Sequence, residues 1–67
     1  MEWHSYMNWP GSYAYDSGMV LVAYADGAWV VWNAHGSKAS ADSKEQLSGS
    51  LEKAKQLAED AAKTLRP

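Results

Sequence analysis

The stretch from Met19 to Asn33, Met-Val-Leu-Val-Ala-Tyr-Ala-Asp-Gly-Ala-Trp-Val-Val-Trp-Asn, constrains the fold more than any other part of the chain. Two runs of β-branched and aromatic residues flank Asp26-Gly27. That pattern marks a β-hairpin, because a type I′ turn needs positive φ at both central residues and Gly, Asn and Asp supply it at least cost. If Asp26 and Gly27 alone form the loop, Tyr24 faces Trp29, Ala23 faces Val30, Val22 faces Val31 and Leu21 faces Trp32. One face then carries Met19, Leu21, Ala23, Val30 and Trp32. The other carries Val20, Val22, Tyr24, Trp29 and Val31, and both faces are apolar. A single helix covers only one of them, so the second face calls for the N-terminal segment, a second copy of the chain or a partner.

Upstream, residues 2–9 alternate Trp3, Ser5, Met7 and Trp9 against Glu2, His4, Tyr6 and Asn8, the period of a strand whose first set points inward. Pro10-Gly11 ends it. Residues 10–18 read as a connection, with Tyr13 to Tyr15 extending the next strand past a bulge at Asp16 to Gly18. Beyond the hairpin, His35-Gly36 suits a second tight turn. Residues 37–41 suit a short edge strand, with Lys38 as a guard against edge-to-edge pairing.

The period changes after Asp42. Ser43-Lys-Glu-Gln46 has capping-box spacing, but Gly49 is unfavourable inside a helix and Ser50 is a good N-cap. The main helix is therefore expected at about 51–65, with 43–48 as a preceding turn or an extension. Leu51, Ala54, Leu57, Ala58, Ala61, Ala62 and Leu65 form its apolar stripe, and Glu52–Lys55 and Glu59–Lys63 are candidate helical ion pairs. A stripe made mostly of Ala lets the helix approach closely, so the bulk must come from the sheet. The expected helix-side core is Leu21, Val30, Trp32, Ala58 and Leu65. The fold class that follows is α+β, a single domain over residues 1–67: an antiparallel three- to four-stranded β-meander with one C-terminal helix packed on one face.

At 67 residues the chain is near the lower limit for a self-sufficient core. With no Cys it has no disulfide to help. No apolar run approaches the roughly 20 residues of a membrane span, and residues 1–9 lack the pattern of a signal peptide. The expectation is a soluble, cytoplasmic protein. The net charge of −2 is uneven. Residues 1–36 hold no Lys or Arg and three acids, Glu2, Asp16 and Asp26, while all six basic residues follow Gly36. Duplex DNA is held through Lys and Arg on phosphate, so the sheet half is a poor DNA reader. The four Trp and four Tyr, with no Phe, are aromatics that carry a polar handle and favour half-wet surfaces and interfaces.

Chemistry-bearing patterns are sparse. No Ser sits in a Gly-x-Ser-x-Gly elbow, and Glu59-Asp60 belong to the solvated helix face. His4, His35 and Asp16 come from separate segments without the spacing of a metal motif. Gly36-Ser37-Lys38 lacks the frame of a phosphate loop. The expectation is a non-catalytic chain with no cofactor and no metal. Its partner-binding set is Val20, Val22, Tyr24, Trp29 and Val31, facing a protein partner or a second copy as a homodimer. A second class of function is a nucleotide or single-stranded nucleic-acid binder that stacks bases on Trp29, Tyr24 or the Tyr13–Tyr15 pair. It suffers from the same lack of cations.

The meander with Gly27-Ala28-Trp29, the small-residue segment Ala39-Ser40-Ala41 and the helix Leu51 to Ala62 resembles short accessory proteins of bacteriophages and prophages. The layout over about 18–64 is also similar to plant AP2 domains and to the arm-binding domains of phage integrases. Those DNA-binding domains place Arg and Lys on strands where this chain has Val, Tyr, Ala and Trp, so their DNA contacts transfer to no residue here. The phage resemblance implies a small inhibitor or adaptor, acting in the host cytoplasm, that docks on a host protein such as a defence-system component.

Overall fold

In the computed structural model, which describes residues 1–5, 7–33, 38–43 and 47–65, the type I′ geometry appears one hairpin earlier than the sequence suggests. Ser17 and Gly18 have φ of 50° and 83° and join two strands whose last pair is Asp16 with Met19. The segment read as a connection is thus itself a strand. The chain runs β1 (His4–Ser5), β2 (Gly11–Asp16), β3 (Met19–Tyr24), β4 (Trp29–Asn33), β5 (Ala39–Asp42) and α1 (Leu51–Leu65). The strands pair antiparallel in sequence order as a five-stranded sheet. This is an α+β meander with one C-terminal helix, a strand richer than expected.

The hairpin at Asp26-Gly27 forms, but with a different loop. Tyr24 N–H donates to the Ala28 carbonyl and Gly27 N–H to the Tyr24 carbonyl, both within 2.9 Å. The loop therefore comprises Ala25, Asp26 and Gly27, with Gly27 alone at positive φ, +95°, the pattern of a type I turn closed by a glycine bulge. Asp26 Oδ1 accepts from Ala28 N–H at 3.0 Å and holds the turn. The added loop residue shifts every pair by one: Ala23 faces Trp29, Val22 faces Val30, Leu21 faces Val31 and Val20 faces Trp32. Because side chains alternate with period two, that shift turns β4 over relative to the expected register.

The helix-side core consists of Ala14, Met19, Leu21, Val31, Ala58 and Ala62, with Trp3, Trp29, Ala41 and Ala61 packed against it. Leu21 and Ala58 are where the sequence places them. Val30 and Trp32 are not: their cross-strand partners Val22 and Val20 put them on the opposite face. Leu65 is 38% exposed at the end of α1. The physical reason is the three-residue loop, which shifts the pairing by one and sets Val31 and Trp29 on the side of α1, whose Ala54, Ala58 and Ala62 are fully buried.

The start of α1 follows the sequence closely. Ser50 Oγ accepts from Lys53 N–H at 3.1 Å, the geometry of an N-cap, and Gly49 has φ +83° just before it. Ser43 does something else. Its N–H donates to the Trp29 carbonyl at 2.9 Å, and its Oγ accepts from Trp29 N–H at 3.1 Å, so it prolongs the β4–β5 ladder. The other capping-box residues, Lys44 to Gln46, lie outside the described residues, as do Tyr6 and the proposed His35-Gly36 turn. Of the two candidate ion pairs, Glu52–Lys55 forms at 3.4 Å, while Glu59 Oε2 accepts the indole N–H of Trp3 at 2.9 Å. That bond ties the N-terminal segment to α1.

Candidate functional site

Cross-strand partners share a face, so the pairs define the side of the sheet turned away from α1. Tyr13, Val22 and Val30 form one row across it, and Tyr15, Val20 and Trp32 form the next. Tyr24 belongs to this face with its partner Gly11, and His4 extends the first row through its pairing with Tyr13. Asp42, opposite Val30, marks the β5 border.

Of the five residues singled out in the sequence, the structure brings Val20, Val22 and Tyr24 together on this open face. Trp29 and Val31 lie on the other: Val31 is fully buried under α1, and Trp29 packs beside it. Their places are taken by Val30 and Trp32. Tyr13 and Tyr15, expected as a strand extension past a bulge or as a stacking pair, also belong to the face, on a strand of their own. The large–small alternation of Tyr13-Ala14-Tyr15 was the available signal for their placement, and the Ser17-Gly18 turn disguised it.

The aromatic groups contact one another in two clusters. His4 stacks at a tilt on Tyr13 with centroids 5.5 Å apart, and Tyr13 meets Tyr15 edge to face at 5.9 Å. At the far end Trp9 meets Tyr24 edge to face at 5.5 Å. Gly11 makes the second contact possible, because a Cβ there would lie 3.0 Å from the Trp9 ring and 2.6 Å from the Ala23 carbonyl oxygen. Trp9 therefore covers one corner of the open face. Trp3 serves the helix side, and Met7, 88% exposed, covers nothing. At the middle, Val22 is only 8% exposed, whereas Tyr15 stands 69% exposed.

The face is almost free of charge. None of the five strands contains a Lys or Arg. Of the three residues weighed as a metal site, His4 shares the open face with Tyr13 and Asp16 the helix face with Met19, while His35 lies outside the described residues. Among the described residues no cluster of three or more His, Cys, Asp or Glu side chains is placed to hold a metal. No described helix is long and apolar enough to cross a membrane. No protein-family model, curated protein or solved structure matches the chain.

Proposed function

We propose that this protein is a non-catalytic interaction module whose working surface is the open face of the sheet, centred on Val20, Val22, Tyr24, Val30 and Trp32, and that the surface takes another protein. The observation that carries this reading is the composition of the face: valines at the middle, Tyr and Trp around them, and no cation on any strand. Depletion of charge and enrichment in Tyr and Trp are the marks of interface centres. Nucleic acids, double- or single-stranded, require cations alongside stacking groups, and Trp29, one of the stacking groups considered, lies on the helix side. An inhibitor or adaptor of the phage type would present this same face to its target.

A photoreactive residue tests the reading. Benzoylphenylalanine replacing Tyr15 on the open face, or Gln56 on the exposed side of α1, is irradiated in cells expressing the protein. Protein adducts from the Tyr15 position and none from the Gln56 position are expected. Equal yields from the two positions, or adducts with nucleic acid alone, would overturn the reading.

A further inference from the structure

We infer that the arm carrying β1, residues 1–5, is exchangeable between copies: it leaves its own chain and takes the same seat on a second one. In the resulting arm-swapped dimer the indole of Trp3 from each copy bonds Glu59 of the other. The exchange uses the helix side and the edge of β2, and is independent of what the open face binds.

The seat is specific, and it needs an occupant. Trp3 packs against the core, its indole N–H donates to Glu59 Oε2 at 2.9 Å, and β1 pairs His4 with Tyr13 and Ser5 with Ser12. On the helix side of β2, Ser12 and Ala14 are buried. A chain whose arm has left loses all of these contacts at once, and the arm of a second copy, identical to the one lost, restores each of them. Exchange of an identical element between protomers is a low-cost route to a dimer for this reason.

The hold on the arm is slight. β1 is two residues long and both are exposed, and an element with so few buried contacts opens at a small fraction of the free energy of global unfolding.

The connection from β1 to β2 favours release. Met7 has a φ of 37°, a left-handed conformation that is costly for a residue other than glycine, and at 88% exposed it has little packing to offset the strain. Just beyond it the chain is anchored. Trp9 rests edge to face on Tyr24, and the Pro10 carbonyl accepts from Ala25 N–H at 2.9 Å. Opening therefore turns on Met7 and Asn8. Straightening them relieves the strain and carries the arm away from its own β2, and short hinge loops under strain are the ones that invite swapping.

The chain has no Cys, which allows a direct test. Ser5 and Ser12 are cross-strand partners within reach of a disulfide, so Ser5→Cys and Ser12→Cys are made in separate chains, mixed in equal amounts at near-millimolar concentration and oxidised. Disulfides joining one variant to the other are expected to outnumber those between two copies of the same variant. Light scattering of wild type should show a species of twice the 7.4 kDa chain mass that grows with concentration. Met7→Gly, which removes the strain at an exposed position, should raise the dimer dissociation constant about tenfold or more, and it decides the matter if either cysteine variant fails to fold. A wild type that stays monomeric up to millimolar concentration overturns the inference. So does a dimer without excess mixed disulfides, or one that Met7→Gly leaves unchanged, since it must form through another surface.

Discussion

The carbonyl oxygen of Gly27 accepts two hydrogen bonds from Ser48, one from its backbone N–H at 3.4 Å and one from its Oγ at 3.2 Å. The tip of the β3–β4 hairpin is thereby fastened to the segment that leads into α1. The same loop sets the register of β4, so the contact links strand pairing to helix placement.

Gly27 has no space for a side chain. A Cβ there would lie 2.2 Å from the backbone nitrogen of Gly49 and 2.6 Å from both the nitrogen and the Oγ of Ser48, at a φ of +95°. Gly27→Ala should destabilise the domain by about 3 kcal/mol or more, combining backbone strain with displacement of the Ser48 segment. Gly18→Ala is the control: its φ is +83° but nothing lies within 4 Å of the added Cβ, so only the backbone term of about 1–2 kcal/mol remains. Urea unfolding of the two variants should separate them clearly, and equal losses would refute the close seat.

The register predicts which valine of β4 matters to stability. Leu21→Ala, fully buried beneath α1, should cost about 2–5 kcal/mol, and Val31→Ala should also lower the unfolding midpoint. Val30→Ala, on the other face, should cost about 1 kcal/mol or less in the monomer. Unfolding should be followed at the lowest protein concentration practicable, so that association contributes nothing. A larger loss for Val30 than for Val31 would mean that the hairpin pairs in the alternative register.

Trp3 and Glu59 should be energetically coupled. The indole N–H to Oε2 bond of 2.9 Å is half-buried, and a double-mutant cycle of Trp3→Phe with Glu59→Ala should return a coupling of about 1 kcal/mol. Additive losses would show that the N-terminal segment is held by packing alone.

Ser50→Ala removes the acceptor for Lys53 N–H and should cost about 1 kcal/mol, whereas Ser50→Asp should retain the cap. Thermal melts followed at 222 nm, a wavelength that reports helix, compare the two. Equal melting of Ser50→Ala and wild type would place the helix start elsewhere.

Much of this architecture is legible in the residues. The stripe from Leu51 to Leu65 repeats at helical spacing and begins after Ser50, so both the element and its cap are readable. Two runs of β-branched residues around Asp26-Gly27 announce a hairpin. Its register is not readable, because both alternating sets of β4, Trp29 with Val31 and Val30 with Trp32, are apolar and suit a buried face equally well. The choice comes from outside the strand, from the three-residue loop and the Ser48 contact. Ser17 is an unusual residue for positive φ, so the true type I′ turn hid β2 inside an apparent loop. Ser43 had the spacing of a helix cap but is drawn into the sheet by Trp29. The candidate face was legible to the extent that β3 defines it, in Val20, Val22 and Tyr24, and was misread where β4 turns over.

The inversion of β4 leaves its two sets of side chains answerable to different demands. Odd-numbered positions, Trp29 and Val31, face α1 and are held to shapes that fit against alanines. Even-numbered positions, Val30 and Trp32, make no contribution to that layer and can change without repacking it. Over generations such a strand can keep one ancestral record while rewriting another. Comparison of divergent descendants should find the odd positions frozen and the even ones drifting together with whatever they touch.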